Sequence, residues 1–148
     1  MNKVKVFISY CVADNDKMEF IKNLINESEK LEAVVVLQQK SDLMYSPEKI
    51  IKALNTSTVF IPILTSNSYN QQWINQEIGF VYGKSKIKLE NIKPIIDKKI
   101  ASDLKGFISS SNDLNYRYNN NSDFKIKAKE LVDTLIIKFK HFGDYYVL

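Results

Sequence analysis

The stretch "STVFIPILTSNSYNQQWINQEIGFVYG", residues 57–83, joins the longest apolar run of the chain to a segment of different periodicity. Its first part, "STVFIPILT" at 57–65, is apolar and rich in β-branched side chains over a length that suits a strand. Pro62 cannot donate to a ladder, so a bulge or an unpaired N–H position is expected there. From about Tyr69 to Tyr82, Ile74, Ile78 and Val81 form an apolar stripe at helical spacing, and Gly83 is a C-cap candidate.

The alternation continues on both sides. "VKVFIS" at 4–9 reads as a first strand, followed by a polar turn in which Asp14 or Asp16 is a plausible N-cap. Met18, Phe20, Ile21, Leu24, Ile25 and Leu31 then recur at helical spacing. "AVVVL" at 33–37 is a second strand, and Ser46–Pro47 begins a helix over "PEKIIKALN". Downstream, "NIKPIID" at 91–97 is a fourth strand and "IASDLKGFI" a short helix or irregular turn. "NDLNYRY" at 112–118 is a fifth, edge strand before a final amphipathic helix, "FKIKAKELVDTLIIKFK". Strands and helices that alternate without a linker or repeat imply one α/β domain over 1–148, an open, mostly parallel sheet of about five strands with helices on both faces.

Composition narrows the function classes. The chain has 148 residues, 45% hydrophobic and 26% charged, the balance of a soluble globule with a real core. No signal-like segment or membrane-length apolar stretch occurs, so a cytoplasmic location is expected. One cysteine, Cys11, and one histidine, His141, leave neither an internal disulfide nor a cysteine-based metal cluster, and no metal is expected. The net charge of +4 rests on scattered lysines with few aromatics between them, which argues against nucleic-acid binding. The four glycines, at 79, 83, 106 and 143, make no phosphate-binding loop. Strand three ends in Ile63, Leu64 and Thr65, so the aspartate of a phospho-accepting receiver is missing.

In open α/β sheets ligands sit beyond the carboxyl ends of the strands, where the strand order reverses. For a flavodoxin-like order 2-1-3-4-5 that point lies between strands one and three, whose exits are residues 9–14 and 65–73, so Tyr10 and the Trp73 helix are expected at one cleft. On this helix Trp73 and Glu77 are i and i+4. Glu77 has Trp73, Ile74, Phe80 and Val81 at its i±3 and i±4 positions, and so no cation on its own helix. A carboxylate at the rim of such a cleft is a candidate for work on a ligand; the plainer reading is a solvated rim glutamate.

These segments resemble a TIR (Toll/interleukin-1 receptor) domain from end to end. "VFISY" is similar to the family's first strand, "STVFIPILTSNSYNQQW" to its third strand and lead-in, and "IKPIIDKKIASDLKGF" to its fourth strand and acidic turn. Trp73-x-x-x-Glu77 resembles the W-x-x-x-E helix of TIR domains that cleave NAD. The resemblance implies a flavodoxin-like TIR fold and an NAD-cleaving enzyme that releases nicotinamide, with NAD as substrate and no cofactor. It makes Glu77 the catalytic residue and Ser9, Tyr10, Trp73 and Asp42 substrate-binding, Asp42 lying in the BB loop at 38–46. That loop lacks the family's usual glycine, with Met44 and Tyr45 in its place. The loop would also mediate self-association or pairing with other TIR domains. Among stand-alone bacterial members the chain resembles the signal-producing protein of Thoeris anti-phage defence. The alternatives are a non-enzymatic TIR adaptor and a virulence factor acting on host TIR signalling.

Overall fold

The structure, a computed structural model, describes residues 2–36, 47–104 and 116–144. Five parallel strands pair in the order β2-β1-β3-β4-β5: β1 Val4–Ser9, β2 Leu31–Val34, β3 Val59–Leu64, β4 Ile95–Asp97 and β5 Arg117–Tyr118. Helices α1 Asn15–Asn26, α2 Pro47–Asn55, α3 Gln72–Gly83 and α4 Asn121–Lys138 cover both faces. This is the expected flavodoxin-like order, with the reversal between β1 and β3.

Side-chain alternation along the strands builds two cores. Val4, Val6, Ile8 and Tyr10 of the β1 segment, with Val59, Ile61 and Ile63 of β3, pack under α1 and α4. Phe7, Cys11, Phe60 and Leu64 face α2 and α3 instead. Both faces are buried, which is why "VFIPIL" reads as a continuous apolar run rather than an alternating one. Ile61 and Phe60 are fully buried on opposite faces, and truncating either to alanine should cost roughly 2–5 kcal/mol.

Pro62 causes no bulge. The β1–β3 register runs through it, with Ser9 opposite Pro62. The Phe60 carbonyl accepts from Lys93 N–H at 2.8 Å, so the backbone groups of Phe60 face β4, and those of Pro62, two residues on, face the same way. The missing N–H therefore falls on the β4 side, where pairing lapses between the Phe60↔Ile92 bridge and Ile63↔Ile95. Pro94, opposite Pro62 in the same register, directs its own missing N–H toward β5, which begins to pair only at Ile96.

Several details differ from the sequence reading. Leu31 opens β2 rather than closing α1, because the chain leaves the helix after Asn26 and Val4 N–H bonds to the Lys30 carbonyl. α3 begins at Gln72, and residues 65–71 form turns held by the Ser68 hydroxyl, which accepts from Thr65 N–H and donates to the Ile63 carbonyl. Asp14 occupies the N-cap position of α1, but its side chain makes no cap bond. α4 is capped conventionally, with the Asn120 side chain accepting from Asp123 N–H at 2.8 Å. Behind it, Lys30 Nζ binds the Phe142 carbonyl and Asp144, tying residues 141–144 of the aromatic tail to the turn before β2. Among the described residues no helix is long and apolar enough to cross a membrane.

Candidate active site

Ser9 ends β1 with its side chain on the α2/α3 face, and α3 crosses that face with Glu77 turned inward beside Ile74, Ile78 and Val81. The Ser9 hydroxyl donates to Glu77 Oε2 at 2.6 Å. Glu77 is only 5% exposed, which rules out the solvated-rim reading. Burial pushes its pKa up from 4.5 to about 7, and the Ser9 hydrogen bond holds it lower than burial alone would. Near neutrality this carboxyl is thus divided between acid and anion.

The two groups form the floor of a recess also bordered by Phe7, Ile8, Tyr10, Val36 and Ile50. Its volume is about 10 Å³, room for the centre of roughly one water molecule. Val36 is the last described residue after β2 and Ile50 stands on α2, so the elements flanking the 37–46 segment border the recess.

Of the residues expected to share this cleft, the structure brings Ser9 and Glu77 into contact. Tyr10 borders the recess, but its side chain belongs to the core under α1 and α4, where burial and then the charge of Glu19 raise its pKa. The reason is geometric: successive residues of an extended segment point to opposite faces, and Ser9 has taken the Glu77 side. Trp73 lies in the first turn of α3, one turn ahead of Glu77; its side chain, Asp42 and the loop at 38–46 lie outside the described residues.

A second polar cluster, absent from the sequence reading, stands beyond the carboxyl ends of β1 and β3. Asp14, 1% exposed, accepts from Thr65 Oγ1 at 2.6 Å, from Cys11 Sγ at 3.2 Å and from Asn67 Nδ2 at 3.1 Å, with Lys17 Nζ 3.8 Å away. This network ties the turn after β1 to the turn after β3 and explains why Asp14 does not cap α1. The polar residues at both strand ends were the available signal.

A parallel sheet wound on both sides in this order, with a buried carboxylate at its point of reversal, defines a flavodoxin-like α/β domain. The diflavin flavoprotein A3 from Nostoc sp. shares that fold, with a TM-score of 0.53 at 13% identity over 95% of this chain and 97% of that one. A conserved protein from Enterococcus faecalis V583 aligns with a TM-score of 0.42 at 12% identity, over 94% and 98% of the two chains. Within this class, a TIR domain family model matches residues 6–132, and the chain belongs to the TIR domain family. No curated protein matches it.

Proposed function

We propose that the protein cleaves the bond between nicotinamide and ribose in NAD, with Glu77 as the catalytic carboxylate. The observation that carries this reading is the buried Ser9–Glu77 pair at the carboxyl end of β1, in a family whose W-x-x-x-E members act on NAD. Heterolysis of the C1′–N bond sends its electron pair to the pyridinium, so nicotinamide leaves neutral and no acid need protonate it. The ribose is left as an oxocarbenium-like centre, which an adjacent carboxylate stabilises in a site that excludes water. Capture by water gives ADP-ribose, and capture by a hydroxyl or ring nitrogen of the same molecule gives a cyclic product. Ser9 fixes the carboxylate, Trp73 supplies a wall for a flat ring, and Asp42 enters from the BB loop. In this reading the protein acts in the bacterial cytoplasm, where its ADP-ribose-derived product is a signal in anti-phage defence.

The test is nicotinamide release from NAD by the purified chain, alone and with lysate from phage-infected cells. Glu77→Gln should lose at least about 100-fold in rate. Undiminished release from Glu77→Gln would remove Glu77 from the reaction.

One observation favours a second reading, an adaptor that binds other TIR domains without turnover. The recess beside Glu77 accommodates about one water rather than a dinucleotide, so its walls must part before NAD can reach the carboxylate. Association through the 38–46 loop is the event that would open it. A chain that self-associates yet releases no nicotinamide at any concentration, with or without infected lysate, fits the adaptor.

A further inference from the structure

On the α1/α4 side of the sheet, away from Glu77, a cleft of about 310 Å³ lies at the carboxyl ends of β3, β4 and β5. Its side chains are polar or charged apart from the ring of Tyr118, and no aliphatic side chain lines it among the described residues. This is the end of an open α/β sheet at which ligands bind, and the volume falls at the lower limit of small-molecule sites. Tyr118 is 2% exposed, and its phenolic oxygen is buried with no hydrogen-bond partner among the described residues. Buried hydroxyls are normally satisfied, so one left unpartnered on a cleft wall marks the place of an outside group. Tyr118 shares the walls of the cleft with Asp97 and Asp14.

The charges indicate what kind of ligand fits. Lys17 stands beside Asp14, and Lys99 shares the wall with Asp97, so two cations face two carboxylates. The positive end of α4 is already met by the Asn120 side chain and by Asp123, whose carboxylate accepts from Asn119 N–H. An anion therefore gains little. Asp97 Oδ1 accepts from Lys99 N–H, which leaves Oδ2 as a further acceptor. Asn119 and Asn121 add amides that both donate and accept. Paired donors and acceptors without net charge suit neighbouring hydroxyls.

We propose that this cleft binds an uncharged, pentose-sized sugar through its hydroxyls, with Tyr118 Oη, Asp97 Oδ2 and the amides of Asn119 and Asn121 as the recognising groups. The site stands apart from the NAD reading and does not depend on Glu77. Titration of the ¹⁵N-labelled protein with D-ribose should give saturable shifts at the backbone amides of Asp97, Asn119 and Asn121, equally in Glu77→Gln. Tyr118→Phe should weaken binding about tenfold, the worth of one hydrogen bond, and leave Tm undiminished because the hydroxyl has no internal partner to lose. Failure of ribose to shift these amides, or equal binding by Tyr118→Phe, overturns the proposal. So does a response to inorganic phosphate alone, which would make the cleft an anion site. A fall of several degrees in the Tm of Tyr118→Phe would show that the hydroxyl is bonded within the fold, and would equally remove its basis.

Discussion

Ser9 and Glu77 stand 68 positions apart in the chain, yet the serine hydroxyl meets the glutamate Oε2 at 2.6 Å inside the protein. The bond favours the anion of a group that burial pushes toward the neutral acid, so Ser9 sets how much carboxylate exists at neutral pH. Replacing Ser9 with alanine should move the Glu77 pKa above about 7. The carboxyl ¹³C resonance of Glu77, followed against pH, reads the shift directly, and an unchanged midpoint would deny Ser9 this role.

The same carboxyl makes stability depend on pH. Its folded pKa of about 7 lies above its ordinary 4.5, so between these values the folded chain holds a proton that the unfolded chain has released. Stability from this group is full below pH 4.5, declines as pH rises to 7 and is flat above. At about 1.4 kcal/mol per pKa unit, the decline approaches ~3 kcal/mol. Urea unfolding from pH 4.5 to pH 8 should show it in the wild type, and subtraction of the Glu77→Gln curve isolates it from other titrations. Parallel curves for the two proteins would contradict the assignment.

Asp14 joins two strand ends through Thr65, Asn67 and Cys11. In Asp14→Ala the buried Thr65 and Cys11 donors lose their acceptor, and the fold should lose about 3 kcal/mol in denaturant unfolding. A loss below about 0.5 kcal/mol would mean that water replaces the carboxylate without cost.

Cys11 should be inert. Burial, with the hydrogen bond to Asp14 and its charge, pushes the thiol up to about 11, far from the thiolate that reacts. A thiol-specific disulfide reagent at pH 8 should label the native protein at the rate of its opening, and the urea-unfolded chain at once. Equal rates in the two states would contradict the burial.

Where local chemistry and periodicity agree, the sequence already specifies the element. Pro47 at the first turn of α2, the apolar run of β3 and the asparagines before α4 are local signals, and those elements form where they indicate. Leu31 misleads because it lies seven residues beyond Leu24, a helical interval, although the helix has already ended. Glu77 is visible as a carboxylate without a cation on its own helix, but its burial depends on how closely α3 lies over β1. Asp14 presents as a cap because a capping aspartate and one turned into the interior look alike until Thr65, 51 positions away, is brought beside it. Tyr10 shows the reverse limit: adjacency to Ser9 in sequence means opposite faces in space.

Pro62 has a consequence outside the folded state. "VFIPIL" is a fully buried hexamer, and on a nascent or unfolded chain such a segment readily pairs with copies of itself. A stacked assembly of identical strands needs an N–H from each residue, and this one has a gap at its fourth position. The residue that interrupts the ladder to β4 is therefore also a gatekeeper, letting the chain carry its most apolar strand through synthesis without offering a continuous template for aggregation.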